Sequence, residues 1–198
     1  MDDAAREHNQ VAAIAEELGL DFRTGENRRL RGAAYGNAVL SRWPIVSDRN
    51  HDLTWQMYEP RGCLDVKIDL PDDSHPALRI FNVHLGTSFF ERRYQGHRLL
   101  EVISSDSDTS TPKIILGDFN EWTRGLTTRL LNRHWNSAEP DPLLGRARTY
   151  PGVFPLLHLD HVYYNSVLTL KTVAVHRTRL SLAASDHLPI VAEFALGS

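Results

Sequence analysis

The sequence predicts an α+β fold in which mainly antiparallel sheets are packed against outer helices. Short apolar runs with the alternation of strands recur along the chain, and several of them are separated only by a turn. Two other segments repeat apolar residues at the spacing of a helix. Because strands joined by short turns pair antiparallel, hairpins are expected to make up most of the sheets.

The composition is that of a folded protein of ordinary domain size. The 198 residues are 41% hydrophobic and carry a net charge of −3, so we expect one domain over residues 1–198 with a full core. The slight acidic balance argues against broad, non-specific binding to nucleic acid, which needs clustered positive charge. It does not exclude an enzyme that binds a few phosphates locally.

Cys63 is the only cysteine in the sequence, which excludes an intrachain disulfide and a zinc–cysteine site. Its expected role is that of a buried, inert thiol. No apolar run approaches the length of a membrane span, and the N-terminus lacks the apolar core of a signal peptide. A cytoplasmic location is therefore the default expectation.

The N-terminal segment is predicted to form a helix. Apolar residues recur there at helical spacing, at Val11, Ile14 and Leu18. Gly19 follows where a left-handed C-terminal cap would fall, and Asp2 or Asp3 could cap the other end.

Strands are predicted next along the chain. Residues 38–45 are expected to form a strand that Pro44 ends. Residues 63–70 alternate as a half-buried strand should, and residues 78–85 return after the turn at 71–76, so the pair predicts a hairpin.

The second half of the chain continues with helices and strands. One face of a second helix is marked by Gln95, Leu99, Val102 and Ile103. A polar loop at 104–112 separates this helix from a buried strand at 113–116, and a short helix is expected at 126–131. The remaining predicted strands are residues 157–164, 167–175 and 188–194.

Alternation also sorts the side chains within a strand, because residues two apart share a face. Asn82 and His84 share one face, while Phe81, Val83 and Leu85 point to the other, toward a core.

The same rule pairs polar residues near two later strands. Asp118 and Asn120 share a side if the strand continues past Leu116, and His158 shares a side with Asp160. Three strands therefore end in paired polar residues, as a site at the open end of a sheet sandwich requires.

Four polar motifs follow one another along the chain. They are Asn82-Val83-His84-Leu85, Gly117-Asp118-Phe119-Asn120, Leu159-Asp160-His161-Val162 and Ser185-Asp186-His187-Leu188-Pro189. In this order they resemble the endonuclease/exonuclease/phosphatase superfamily, which includes DNase I-like nucleases, sphingomyelinases and inositol phosphatases. Residues 35–41 and 59–62 are also similar to its bacterial members. The resemblance runs from about residue 35 to residue 194 and implies a four-layer α/β/β/α sandwich that cleaves phosphoester bonds with Mg²⁺.

The resemblance implies a catalytic set of five residues. His187 would take a proton from the attacking water, and Asp160 would hold its ring in one tautomer. Asp118 would orient the water or hold the metal, Asn120 would donate its amide to a phosphoryl oxygen, and His84 would bind the phosphate or protonate the leaving group. Each residue alone would more often be a turn residue or a structural hydrogen-bond partner, but the co-occurrence of the motifs favours catalysis.

The implied cofactor is Mg²⁺, with Mn²⁺ as an alternative, because carboxylate and amide oxygens suit a hard cation. The expected ligands are Asp118, Asn120 and Asp186. Three further residues are expected to bind substrate or support the site, with a purely structural role as the alternative for each. They are Asn82, Asn37 and Arg61.

One feature of the superfamily is missing from the sequence. Its members begin with two strands, and the second ends in a Gln-Glu pair whose glutamate is the principal metal ligand. Here the chain enters its first helix almost directly, and no Gln-Glu pair follows an apolar strand. A fragment or a start placed too late, a degenerate relative, and weak metal binding through Asp118, Asn120 and Asp186 alone are the open explanations. The first is favoured because the rest of the catalytic set is present.

An N-terminally truncated sandwich would expose sheet edges, which predicts self-association or marginal stability. The predicted function is metal-dependent hydrolysis of phosphoester bonds by a phosphodiesterase or nuclease, with phospholipid or inositol phosphate as the alternative substrate. A catalytically impaired relative that acts as a binding or scaffolding domain is the alternative from a different class.

Overall fold

The computed structural model of the protein describes residues 10–30, 33–106, 108–122, 125–139 and 148–197. Within these residues the strands are β1 (Asp21–Leu30), β2 (Ala33–Ser41), β3 (Ile45–Asp52), β4 (Gly62–Asp69), β5 (Ala77–His84), β6 (Lys113–Asp118), β7 (Asn136–Ser137), β8 (Asp160–Tyr164), β9 (Leu168–Val175) and β10 (Ile190–Leu196). The helices are α1 (Gln10–Leu18), α2 (Phe89–Ser104), α3 (Leu126–Leu131) and α4 (Arg179–Ala184).

A six-stranded sheet with the order β3-β4-β5-β6-β8-β7 forms the centre of the fold. Its neighbouring strands are antiparallel except β5 and β6, which run parallel because α2 connects them. The predicted hairpin is confirmed as the β4–β5 pair, in which Asp69 lies opposite Ala77 at the turn.

Both faces of the six-stranded sheet are covered. Leu99 and Ile103 of α2 and Leu131 of α3 belong to one buried cluster with Phe81 and Val83 of β5. This confirms the face that alternation assigned to the core.

Two antiparallel pairs, the hairpin β1–β2 and the pair β9–β10 whose strands are connected through α4, cover the other face and are called here the hairpin layer. Val39 of β2 and Leu168 of β9 share a buried cluster with Leu64 and Ile80 of the central sheet. Helix α1 contacts β1 on the outside. The layers are, in order, the helices α2 and α3, the six-stranded sheet, the hairpin layer and α1. This order confirms the predicted four-layer sandwich.

Several local predictions are confirmed. The N-terminal helix ends at Leu18, and Gly19 follows with a φ of 65°. Asp2 and Asp3 lie outside the described residues. The α2 helix buries the four residues that marked its face. Cys63 is fully buried, and burial raises the pKa of its thiol.

The strand predicted over residues 38–45 is confirmed only in part, because it ends at Ser41, before Pro44. Pro44 separates β2, which ends at Ser41, from β3, which begins at Ile45. The carbonyl of Pro44 accepts a hydrogen bond of 2.8 Å from the backbone of Asp69, so the proline occupies the edge of the sheet, where no backbone N–H is required.

The strand predicted over residues 63–70 is confirmed as β4, but the expectation that it is half-buried was wrong. The first five residues of β4 are all buried, because helices cover one face of the sheet and the hairpin layer covers the other. The carboxylate of Asp65 is buried there with a partner, since Arg79 donates two hydrogen bonds to it at 2.7 and 2.8 Å.

None of the described helices is both long and apolar enough to cross a membrane.

Candidate active site

Three neighbouring strands place three predicted residues in one row. His84 is the last residue of β5, Asp118 is the last residue of β6, and Asp160 is the first residue of β8. In the parallel pair, His84 lies opposite Asp118, and in the antiparallel pair Asp118 lies opposite Asp160. The strand ends therefore bring together side chains that are far apart in the sequence.

Gly117 allows the close approach of β5 and β6 at this point. Its φ of 136° lies in a region that L side chains rarely adopt. A Cβ atom at this position would lie 1.9 Å from the carbonyl oxygen of Val83. Glycine is thus required immediately before Asp118.

His187 reaches the row from the loop between α4 and β10. Its Nδ1 lies 2.7 Å from Oδ2 of Asp160, and its Nε2 lies 3.9 Å from Oδ2 of Asp118. The backbone N–H of His187 donates to the hydroxyl of Ser185, which holds this turn. The ring of Tyr150 packs against the imidazole with a centroid distance of 4.9 Å.

Asn120 lies in a turn, so the extended geometry expected for Asp118 and Asn120 was wrong. Asn120 has a φ of 50°, and its backbone N–H donates to Oδ1 of Asp118 at 2.8 Å. Its side-chain amide nitrogen donates to the carbonyl of Leu85 at 2.8 Å. Because this bond fixes the nitrogen, the amide oxygen is left as the group that can bind a cation.

His158 precedes β8 and is not part of the strand, so the predicted shared side with Asp160 does not apply. Its ring packs beside His161, with a centroid distance of 4.3 Å.

Burial and charge act together on the titratable groups of the site. Burial raises the pKa of Asp118 to about 6, and the nearby charge of Asp160 adds to this effect, against the backbone hydrogen bond from Asn120. Burial and the positive charge of Arg61 lower the pKa of His84 to about 4. Burial lowers the pKa of His187, but its contacts with Asp160 and Asp118 outweigh burial, so the net direction is upward.

The donor set fits a hard divalent cation. Two carboxylates, Asp118 and Asp160, converge at a partly buried point, where their mutual repulsion would be relieved by a cation. Oδ2 of Asp118 faces His84 at 3.5 Å, and the amide oxygen of Asn120 is the nearby neutral donor. Asp186 is exposed in the turn beside His187, and its charge contributes to the raised pKa of that histidine.

Asn37 and Asn82 join the hairpin layer to the central sheet. The amide nitrogen of Asn37 donates to the carbonyls of Gly62 and Asn82, at 2.8 and 3.1 Å. The amide nitrogen of Asn82 donates back to the carbonyl of Ala38 at 2.8 Å. Both side chains therefore bridge two layers next to the row of His84, Asp118 and Asp160.

Arg61 is a buried cation close to the row. Its guanidinium donates to Glu59 at 2.9 Å, and Glu59 also pairs with Arg28 at 2.7 Å. The charge of Arg61 lowers the pKa of both His84 and Asp118. Its Nε is buried and has no hydrogen-bond partner in the part of the chain that the structure describes.

Gln95 makes two contacts that support the site, for which the sequence left site support and backbone pinning as equal alternatives. The amide oxygen of Gln95 accepts from the backbone N–H of Gly86 at 2.7 Å, and its nitrogen donates to the buried Glu91 at 3.0 Å. This pair anchors the loop that follows His84. The pairing of Gln95 with Glu91 was not predicted, although their spacing of four residues on a helix is a pattern that could have revealed it. No local pattern marks Tyr150.

The sandwich fold and the histidines and carboxylates at its strand ends are features of enzymes that hydrolyse phosphoester bonds. The chain belongs to the Endonuclease/Exonuclease/phosphatase family, whose model matches residues 2–187. Membership in this family supports phosphoester hydrolase activity, and the family generally depends on divalent metal ions.

Relatives of the chain have been identified by sequence and by structure. It is 34% identical over 189 residues to the uncharacterized protein YbhP of Escherichia coli strain K12. The aligned region covers 92% of this chain and 72% of the relative. The fold is similar to that of the Bacteroides thetaiotaomicron mannosyl-6-phosphatase Bt3783, with a TM-score of 0.76, 18% identity, and coverage of 94% of this chain and 81% of that one. It is also similar to the human Nocturnin catalytic domain with bound sulfate anion, with a TM-score of 0.73, 18% identity, and coverage of 98% and 78%.

Proposed function

We propose that the chain is a metal-dependent phosphodiesterase in which His187 activates the attacking water. The observation that carries the proposal is the position of the imidazole between two carboxylates. Nδ1 lies 2.7 Å from Asp160, and Nε2 faces Asp118 across 3.9 Å.

The contact with Asp160 supports the tautomer that general-base catalysis requires. Because a carboxylate only accepts hydrogen bonds, the proton of the neutral ring is assigned to Nδ1, and the lone pair of Nε2 is left to receive the proton of water. The carboxylate then stabilises the imidazolium that forms. A water between Nε2 and Asp118 would be oriented by both groups.

The expected cation is Mg²⁺ or Mn²⁺, held by Asp118, Asn120 and Asp186. When bound, such an ion neutralises charge on the phosphoryl oxygens. Asp118 is proposed both to orient the water and to bind the cation. Its Oδ1 is fixed by the backbone N–H of Asn120, and its Oδ2 faces His84.

Two groups of the chain are suited to binding the phosphate. Arg61 supplies a fixed positive charge beside the row, held in place by Glu59. His84 is neutral at physiological pH because burial lowers its pKa to about 4, so it would donate a hydrogen bond to a phosphoryl oxygen without adding charge.

The substrate proposed first is a nucleic acid strand. Phe89, Arg92 and Arg93 at the start of α2 line a cavity of about 260 Å³ together with Trp122, which follows Asn120 in the chain. Aromatic side chains can stack on bases, and arginines can bind the backbone phosphates. The exposed aromatic surface also favours a second candidate, a phospholipid, whose acyl chains would contact the same rings.

Turnover of bis(4-nitrophenyl) phosphate with added Mg²⁺ tests the proposal. The His187→Ala variant should lose on the order of 10²- to 10⁴-fold in kcat, the range of general-base catalysis. His134→Ala is the matched control because His134 is exposed beyond α3. If the wild-type chain binds Mg²⁺ weakly or not at all and shows no turnover, the scaffolding alternative replaces the enzyme.

A second assay distinguishes the nucleic acid from the phospholipid as substrate. A single-stranded oligonucleotide and dispersed phosphatidylcholine are assayed side by side with the Trp122→Ala variant. Loss of oligonucleotide cleavage with unchanged turnover of the small diester supports the nucleic acid, whereas cleavage of the lipid alone supports the phospholipid.

A further inference from the structure

A second group of metal-capable side chains lies on the other face of β8. Glu139, His158 and His161 each offer a ligand atom, and these atoms all lie within 4.8 Å of one another. Glu139 comes from the loop after β7, which is held against β8 because the backbone N–H of Ala138 donates to Val162 at 2.8 Å. Two segments of the chain, one with Glu139 and one with both histidines, thus converge.

His161 is buried without hydrogen-bond partners. Its exposure is 6%, and it packs edge-on against Phe119 within the core. Neither ring nitrogen has a hydrogen-bond partner among the described residues, and neither has the Nε2 of the neighbouring His158. The nearby backbone of His158 acts to raise the pKa of His161, but burial outweighs this effect. A neutral imidazole has one donor and one acceptor, and buried polar groups are normally paired, so this arrangement requires an explanation.

We propose that Glu139, His158 and His161 bind a divalent transition metal of the Zn²⁺ class. Two imidazoles and one carboxylate are typical ligands of Zn²⁺, Co²⁺ or Fe²⁺, whereas Mg²⁺ and Ca²⁺ prefer oxygen donors throughout. A water completes the four ligands that Zn²⁺ usually takes. The site is therefore chemically different from the oxygen-rich candidate site at Asp118.

The position of this site gives it a supporting role for the active site. His161 follows Asp160 directly in β8, and adjacent residues of a strand point to opposite faces. A metal on His161 would tie β8 to the loop of Glu139 and hold the strand that carries Asp160. The inference stands without the proposed function, because it depends on the burial and ligand geometry of the three residues alone.

Co²⁺ binding to the metal-free full chain tests the inference, since bound Co²⁺ absorbs visible light. Co²⁺ should bind to these three residues and raise the Tm. Binding should weaken by at least about tenfold in Glu139→Gln and in His158→Ala, because loss of a direct ligand costs no less than loss of its supporting contacts. His161→Ala removes a core side chain and is not used, since it could unfold the chain.

Two controls make the result decisive. His97→Ala removes an exposed histidine of α2 and should leave the Co²⁺ spectrum unchanged. Asp118→Asn removes a carboxylate of the active site and should also leave it unchanged. If the spectrum is lost in Asp118→Asn and kept in Glu139→Gln, the ion belongs to the active site and the inference is overturned. Equal binding by wild type, Glu139→Gln and His158→Ala overturns it as well.

Discussion

Asp118 and Asp160 lie directly opposite each other in the antiparallel pair of β6 and β8, at the last residue of one strand and the first residue of the other. Oδ2 of Asp160 lies within hydrogen-bond distance, 2.7 Å, of Nδ1 of His187. Oδ2 of Asp118 lies 3.9 Å from Nε2 of the same ring. One pair of strands therefore supplies both carboxylates that flank the histidine.

Replacing Asp160 with Asn is expected to lower kcat by about 10²- to 10⁴-fold, with a much smaller change in KM. The amide can present an N–H to the ring, which favours the tautomer with the proton on the wrong nitrogen. Steady-state kinetics with bis(4-nitrophenyl) phosphate measure the effect. Asp69→Asn, at an exposed position of β4, is the control and should behave as wild type. A kcat of Asp160→Asn equal to that of wild type would contradict the assigned role.

Removal of divalent ions with a chelator is expected to abolish turnover, and Mg²⁺ or Mn²⁺ should restore it. In Asp118→Asn, the Mg²⁺ concentration at half-maximal activity should rise by at least about tenfold, because a charged ligand is replaced by a neutral one. A Mg²⁺ titration of activity provides the measurement, with Asp52→Asn as the control outside the row. Full turnover in the presence of the chelator would rule out the metal.

A pH-dependent contribution to stability is expected from Asp106. Burial raises the pKa of this carboxyl, but Lys113 at 2.9 Å and Arg79 outweigh burial, and the pKa is lowered below its ordinary value of 3.8. A lowered pKa means that the unfolded chain binds the proton more readily. The stabilisation is therefore present above about pH 4 and is lost as the pH falls through the folded-state pKa.

The Asp106→Asn variant should lose about 2 kcal/mol of unfolding free energy near pH 7, since it leaves the buried ammonium of Lys113 without its carboxylate. Wild type and variant should converge as the pH is lowered. Urea unfolding across this range measures both effects, and a difference between the two proteins that does not change with pH would contradict the argument. Asp69→Asn again provides the exposed control.

Self-association remains a prediction, and the hairpin layer gives it a physical basis. Each strand of β1–β2 and β9–β10 has a single hydrogen-bonded neighbour within the described residues, so backbone groups at these edges are available for pairing. Light scattering coupled to size exclusion should show a mass that rises with concentration. Val191→Lys places a charge on the exposed side of β10 and should reduce association, whereas Val153→Lys, at an exposed loop position, should not. A constant monomer mass at every concentration would contradict the prediction.

Most of the central elements could be predicted from local patterns. The β5 strand, with Phe81 and Val83 buried and His84 on the opposite face, follows from alternation, and α2 follows from its apolar stripe. The β1 and β3 strands could not be predicted, because most of their residues are polar or charged. Pairing with β2 and β4 stabilises them through backbone hydrogen bonds that carry no side-chain pattern.

The sequence by itself determined the family, the sandwich class and the set of polar residues near the strand ends, because motifs and hydrophobic periodicity are local properties of the chain. Only the tertiary structure decided which of these side chains meet. The register of β6 with β8 sets Asp118 opposite Asp160, the turn at Asn120 breaks the extended geometry, and Glu139 reaches His161 from a distant loop. These relationships depend on strand register and on contacts between remote segments. Neither produces a periodic pattern of residues from which it could be predicted.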